Sequence, residues 1–310
     1  MILVLIVKVY INRKPVTGPW GGGNKTVVAL SAKLQEGGHE VVYQLCENID
    51  IIFCFDPRPN DIGEWYQHFW DYKQAFGCKI IQRVGDLGTH GKPELTNLIK
   101  QTIEVSDLLI FPSLWAKEYI NFRKENFEII ENGPSEDFYK NRNDNIRPSE
   151  KIRVVTHHWS TNSKKGFKYY EQFDKFLKET DRFEFLYIGR KPENLEFRSA
   201  VFLEATGDNQ FLSEQISNSH IYLTASEEEA GANHVLEALA CGIPVVYHNN
   251  GGSIVDYCKG YGIGYNSFGS LIESLNKMSE NYEHFKKNAL QFNKTIDDSI
   301  KKYIKVIENV

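Results

Sequence analysis

The chain contains no Cys-x-x-Cys pair and no His/Cys run with the spacing of a structural metal finger, which argues against a zinc module. Its five cysteines, Cys46, Cys54, Cys78, Cys241 and Cys258, stand apart, most of them in apolar runs. They are expected to be reduced core thiols, as in a cytosolic protein. Positive charge is also short: 36 Lys and Arg face 41 Asp and Glu, for a net charge of −5. A chain of this balance has no global basic field, which excludes a plain nucleic-acid binder. Long hydrophobic runs are missing. Met1–Val7 is apolar but too short to span a bilayer, and it lacks the basic lead and small-residue cleavage site of a signal peptide. It reads as a buried parallel strand. Three chemical fingerprints are absent too. There is no G-x-G-x-x-G with a matching downstream acid, no Gly-Lys-Ser/Thr phosphate loop, and no G-x-S-x-G elbow or placeable Cys/His pair. Dinucleotide redox chemistry, P-loop chemistry and nucleophilic hydrolysis therefore have no support. No internal repeat or low-complexity segment stands out.

What is present is a globular composition, 41% apolar and 25% charged, over 310 residues, the length of two domains. The 16 Tyr and 19 Phe are accounted for by core packing, with sugar stacking as the alternative. Strand and helix signals alternate. Strands are expected at 2–9, 40–45, 49–55, 79–84, 108–111 and 127–130, with helices at 25–35, 64–76, 93–104 and 114–122. This is the rhythm of βαβ units on a parallel sheet. Residues 132–151 then turn polar, through Asn132-Gly133-Pro134 and Asn141-Arg142-Asn143-Asp144-Asn145 to Pro148-Ser149, the composition of a linker or hinge. Alternation resumes with strands at 152–156, 183–188, 201–204, 221–224, 244–247 and 263–265, and residues 267–310 are mostly helical by periodicity. The expected fold is α/β, with two Rossmann-like doubly wound domains facing each other across a cleft. They are placed at 1–148 and 149–310, with the last helix packing back on the first. Ligands of such sheets bind at the carboxyl ends of the strands.

The most informative segment runs from Thr224 to Val246, where Glu229 and Glu237 bracket seven residues. A short apolar strand enters an acidic, glycine-containing loop, and a helix follows, ended by Gly242-Ile243-Pro244. A helix start presents free N–H groups and the positive end of the helix dipole, a ready anion site. Two carboxylates flanking an anion site make sense if the ligand also carries hydroxyls, because carboxylates accept hydrogen bonds from sugar OH groups. The pattern suggests a ligand with both a diphosphate and a sugar. A second strand end, Thr156-His157-His158-Trp159-Ser160, leads to Lys165-Gly166-Phe167. Lys165 there can set an ammonium against a phosphate, or simply be a solvated lysine at a helix start. The paired histidines lack a third ligand at suitable spacing, so no metal is expected. Gly21, Gly22 and Gly23, after the first strand, allow close backbone approach to a ligand or form a surface turn. Arg83, Asp86 and His90 follow another strand, as cleft-facing groups or as a structural Arg–Asp pair. Arg190 follows the strand at 183–188, near a nucleotide base or as a solvated loop arginine.

Taken in order, these residues carry a resemblance. Glu229 and Glu237 followed by Ala238-Leu239-Ala240-Cys241-Gly242-Ile243-Pro244-Val245-Val246 resemble the donor-site signature of the glycosyltransferase family 4 group, polysaccharide-biosynthesis type. Asn132-Gly133 resembles that group's hinge segment, Gly21-Gly22-Gly23-Asn24 its first loop, and His157-His158-Trp159-Ser160 to Lys165-Gly166-Phe167 a subset of its bacterial-type members. The resemblance spans about residues 15 to 265. It implies a GT-B fold and a retaining glycosyltransferase that uses a nucleotide-diphosphate sugar as donor substrate, with no metal and no other cofactor. Carried over by position, Glu229 contacts donor-sugar hydroxyls, Glu237 holds the ribose, and Lys165 neutralises the departing diphosphate. The N–H groups of Gly231, Ala232 and Asn233 support phosphate and sugar. Gly22, Gly23, Ser160 and Arg190 join the donor-binding set, and Arg83 and Asp86 join the catalytic set. The implied acceptor is a hydroxyl of a glycan or lipid-linked glycan, the latter bringing a cytoplasmic protein to a membrane surface. The chain departs from the pattern where Ser160 replaces the usual Arg, where Glu-Ala-Gly-Ala replaces Glu-Gly-Phe-Gly, and where His234 takes the usual Pro position. These departures leave two alternatives, a nucleotide-sugar epimerase on the same fold and a non-catalytic sugar-nucleotide or glycan-binding protein.

Overall fold

The computed structural model describes residues 6–16, 22–148 and 151–310. The start of the first expected strand, Gly21 with the four residues before it, and Ser149 with Glu150 lie outside the described residues. The chain divides into two compact units, residues 1–132 with 296–310, and residues 133–295. Among the described residues no helix is long and apolar enough to cross a membrane.

The first unit alternates β1 (Lys8–Ile11), α1 (Gly22–Glu36), β2 (Glu40–Val42), β3 (Ile51–Cys54), α2 (Tyr66–Phe76), β4 (Lys79–Arg83), α3 (Pro93–Thr102), β5 (Leu108–Phe111), α4 (Leu114–Ile120) and β6 (Phe127–Ile129). All its strands pair in parallel, in the order β2-β1-β3-β4-β5-β6. Ile51, Ile52, Phe53 and Cys54 are all buried, as expected of a parallel strand covered on both faces. Local stops are legible. Gly77, in the left-handed region at φ 77°, closes α2, and Pro93 opens α3, where a missing N–H costs nothing. Helix α1 begins three residues earlier than its periodicity predicts, so Gly22 and Gly23 form its first turn.

The second unit holds α5 (Asp137–Lys140), β7 (Ile152–His158), a single 3-10 turn (Ser163–Lys165), α6 (Phe167–Phe176), β8 (Phe183–Gly189), β9 (Val201–Leu203), α7 (Asn209–Ser217), β10 (Ile221–Thr224), α8 (Asn233–Ala240), β11 (Val245–His248), α9 (Ser253–Tyr257), β12 (Gly262–Tyr265), α10 (Phe268–Glu280) and α11 (Tyr282–Ala289). Its parallel order is β12-β11-β10-β7-β8-β9. The chain builds outward from β7 through β8 to β9, then returns to the other side of β7 with β10. The reversal falls between β7 and β10, the topological switch point at which such sheets bind ligands. The polar stretch after Asn132 is no loose connector. Phe138 of α5 is fully buried, and the Arg142 guanidinium donates to the carbonyls of Leu239, Ala240, Leu290 and Phe292. The last helix, α12 (Ile296–Asn309), belongs to the first unit, where it packs on α1.

Candidate functional site

The two strands at the switch point end in the two loops that carry the sequence motifs. After β7 the chain passes through Trp159 to Asn162 into the 3-10 turn that bears Lys164 and Lys165. The Asn162 side chain accepts from the Lys164 N–H and so starts this turn. Gly166 stops it at φ 73°, and a Cβ there would lie 2.2 Å from the Ala225 carbonyl oxygen. Only glycine fits, and the tight approach seats the lysines beside the residue that follows β10. After β10 the loop Ala225–Ala232 leads to α8, with Ala232 as its N-cap.

The loops meet through ion pairs. The Lys165 Nζ lies 2.5 Å from Glu229 Oε1, with side-chain exposures of only 12% and 13%. Lys164 Nζ lies 2.8 Å from Glu228 Oε1 and 3.9 Å from Glu227 Oε2. Glu228 sits at φ 54°, a strained value for a residue with a Cβ, and its N–H donates to the Asn250 carbonyl. Glu229 is held at both ends of its backbone: its N–H donates to the Gly251 carbonyl, and its carbonyl accepts from Ser253 N–H. The Ala232 N–H donates to the Ser253 hydroxyl. Gly231, Ala232 and Asn233 thus form a braced helix start two to four residues after Glu229.

One helical turn further on, Glu237 of α8 is buried and its Oε2 lies 2.9 Å from His157 Nε2. The other ring nitrogen of His157, Nδ1, is 3.0 Å from the hydroxyl of buried Tyr222 on β10. Two more histidines complete the floor. His158 Nε2 is 2.6 Å from the Tyr170 hydroxyl and 3.1 Å from Thr156 Oγ1, and His234 Nε2 is 3.0 Å from Thr224 Oγ1. Burial, reinforced by the nearby Lys165 charge, pushes His234 down to about 3. Burial, together with His234 and Lys165, carries His158 well below the imidazole range. Both rings are therefore neutral at physiological pH. Among the described residues no group of three or more His, Cys, Asp or Glu side chains could hold a metal ion.

The structure brings together Lys165, Glu229, Glu237, Gly231, Ala232 and Asn233 around the switch point, with Ser160 and Arg190 after the neighbouring ends of β7 and β8. The Ser160 hydroxyl accepts from Asn162 N–H, and the exposed Arg190 is tied through its backbone, its N–H donating to the His158 carbonyl. The remaining expected residues lie in the first unit. Gly22 and Gly23 open α1. Arg83 and Asp86 do not pair with each other. Arg83 is buried, donating from Nε to the Tyr303 hydroxyl at 3.0 Å and from Nη2 to Asn132 Oδ1 at 2.9 Å. Asp86 is paired with Lys92 at 2.8 Å and accepts from Gly88 N–H. Sequence reasoning missed the tie between His157 and Glu237. The two residues are 80 positions apart, and only the adjacency of β7 and β10 brings them together.

Residues 153–281 match the family described as Glycosyl transferases group 1. No curated protein sequence matches the chain significantly. Among solved structures, a glycosyltransferase from Rickettsia africae ESF-5 is similar at TM-score 0.70 and 13% identity, over 98% of this chain and 100% of that one. The apo lipopolysaccharide outer core galactosyltransferase WaaB aligns at TM-score 0.70 and 13% identity, over 97% and 99% of the two chains. HepE of Anabaena, solved in complex with UDP-glucose, aligns at TM-score 0.67 and 12% identity, over 99% and 100%. At these identities the likeness establishes the fold, which is GT-B. The matched residues make up most of the unit that holds the switch-point site, and the chain is a glycosyltransferase.

Proposed function

We propose that this glycosyltransferase moves a sugar from a nucleotide-diphosphate sugar to a hydroxyl of a glycan or lipid-linked glycan, with retention at the anomeric carbon and without a metal. The observation that carries the reading is the Lys165–Glu229 pair, 2.5 Å apart beside the braced start of α8 at the switch point of the sheet. An ammonium has three donors and Glu229 accepts one, which leaves donors directed to a phosphate. Glu229 then both orients Lys165 and offers its remaining lone pairs to donor-sugar hydroxyls. Glu237, one turn along α8, holds the ribose. As the bond to the diphosphate breaks, charge grows on the leaving oxygen. Lys165 and the positive end of α8 are preorganised to meet it, while the Ala232 N–H, which the motif offered as a phosphate donor, is already engaged by the Ser253 hydroxyl. No carboxylate is assigned the role of covalent nucleophile, so attack on the face the diphosphate leaves is the proposed route to retention, with a departing phosphate oxygen taking the acceptor proton. Arg83 is engaged inside the first unit, which favours an anchoring role over a catalytic one. Asp86 remains a candidate for the acceptor proton, and Gly22 and Gly23 for acceptor-side contacts. The UDP-glucose complex of HepE supports a nucleotide-sugar donor. A lipid-linked acceptor would place a cytoplasmic protein at a membrane surface.

The test is turnover. The protein is mixed with a panel of nucleotide sugars and glycan acceptors, nucleoside diphosphate release is followed with and without EDTA, and the anomeric configuration of the product is read by NMR. Lys165→Ala is expected to lower kcat by about 10²–10³, the usual loss for a fixed donor aimed at developing charge. Glu229→Ala is expected to lower kcat/KM for the donor. Unchanged turnover in both variants would remove the reading. Inverted product or loss of activity in EDTA would remove retention or metal independence alone. Hydroxyl inversion of the donor without any acceptor would point to an epimerase instead.

A further inference from the structure

We infer that His157 and Tyr222 are positioning residues, a buried relay that fixes the Glu237 carboxylate so that it meets a vicinal diol in one orientation. This rests on the reading of Glu237 as the ribose-binding group. Three observations carry it. The His157 Nε2 to Glu237 Oε2 contact is short, 2.9 Å, and both side chains are withdrawn from water, with exposures of 3% and 5%. The far nitrogen of the ring, Nδ1, is 3.0 Å from the Tyr222 hydroxyl. The Tyr222 oxygen in turn accepts from the His157 backbone N–H at 3.2 Å, so the phenol is pinned by the same residue it orients.

The hydrogen bonds define a tautomer. Burial raises the Tyr222 phenol far above its ordinary range, so it keeps its proton and has one donor. That proton has two acceptors in reach, His157 Nδ1 at 3.0 Å and the His157 carbonyl at 3.3 Å. The ring nitrogen that faces the carboxylate, Nε2, must carry a hydrogen, since a lone pair would face a negative oxygen. Nδ1 is then the acceptor for Tyr222. The chain of donors runs Tyr222 O–H to His157 Nδ1, then His157 Nε2–H to Glu237. The relay also spans three elements, because Tyr222 pairs in register with Val155 on β7 and Glu237 projects from α8. A carboxylate on a short helix is thereby tied to the two central strands of the sheet. One oxygen is fixed, and the plane of the carboxylate is fixed with it. The arrangement parallels a metal-bound histidine oriented by an outer hydrogen bond, where loss of the outer partner weakens binding through misorientation.

A ligand cycle tests this on the full chain. UDP, GDP and ADP, and the 2′,3′-dideoxy form of each, are titrated calorimetrically, and the tightest-binding base is used throughout. Glu237→Ala establishes the premise if it weakens the ribonucleotide but not the dideoxynucleotide. If it weakens both equally or neither, the ribose reading of Glu237 falls and the relay with it. Given that premise, His157→Leu is expected to weaken the ribonucleotide about tenfold and the dideoxynucleotide less than about twofold, the scale of one hydrogen bond to a charged group. His157→Gln, whose amide N–H reaches the place of Nε2–H, is expected to restore most of the loss. Tyr222→Phe removes only the hydroxyl and is expected to shift the same ratio in the same direction by a few-fold. It carries the test where the leucine variant does not fold, and the dideoxynucleotide reports folding in every variant. Equal effects on both ligands, or none on either, with Glu237→Ala behaving as expected, would overturn the relay while leaving the ribose reading intact.

Discussion

His234 and His158 are neutral because they are buried beside Lys165, and that has a consequence away from catalysis. In the unfolded chain each imidazole titrates near 6.5, whereas in the fold His234 does so only at about 3. Above 6.5 both states are uncharged and the two histidines leave stability independent of pH. Below it the unfolded chain takes up protons that the fold refuses, so stability falls with falling pH, by up to about 1.4 kcal/mol per pH unit for each histidine. Depressed folded values thus mean stability present above pH 6.5 and lost progressively below it. His234→Gln, which keeps an amide within reach of Thr224, is expected to flatten the drop in urea midpoint between pH 7 and pH 5. A drop as steep as that of the parent chain would show that His234 is not the group responsible. At this scale the sequence is informative about which residue types cluster and silent about their partners. Lys165, Glu229 and Glu237 stand out by spacing and helix position. The neutral histidine floor does not, because burial and the proximity of β7 to β10 create it.

Asp174 shows the same limit for an element. It lies on the inner face of α6, is 3% exposed, and accepts from the backbone N–H groups of Arg198, Ser199 and Ala200 at 2.7 to 3.1 Å. It acts as an external cap for a segment with no helix of its own, between β8 and β9. Asp174→Ala would strand these N–H groups and is expected to cost about 2–3 kcal/mol in urea unfolding, with Asp174→Asn costing roughly half because one acceptor oxygen remains. A loss under about 0.5 kcal/mol for the alanine variant would mean that water satisfies the loop instead. Elements themselves were largely legible. Leu108–Phe111 and Ile221–Thr224 are continuous apolar runs with clear boundaries, and both form the strands those boundaries predict. Helix α5 was not. Its polar flanks read as linker, and its one deeply buried residue, Phe138, is too little for a periodicity to show. Strand order was also beyond reach, since the described strands all pair in parallel and nothing local says that β10 lies beside β7 rather than β9.

For the molecule as a whole, the decisive fact is that the first unit is not continuous in sequence. Helix α12 buries Ile300, Tyr303 and Ile307 against a core that includes Val27, Leu30 and Phe53, and the Tyr303 hydroxyl accepts from the buried Arg83 Nε. Ser299 adds a hydrogen bond to the Glu131 carbonyl. Periodicity along 296–309 gives α12 a buried face but cannot say which unit supplies the partner. Removing the helix would expose three large apolar side chains, each contributing roughly 1.5–3 kcal/mol, and would leave a buried guanidinium without one of its acceptors. That sum is comparable to the whole stability of an ordinary domain, roughly 5–15 kcal/mol. Residues 133–295, which are contiguous and carry the complete switch-point sheet, are expected to fold alone with a cooperative thermal transition by circular dichroism. Residues 1–132 alone are expected to show no such transition, and to regain one when residues 296–310 are fused back through a flexible linker. A cooperative melt of 1–132 without the helix would mean that the six-stranded sheet and α1 suffice, and that α12 is an accessory to that core.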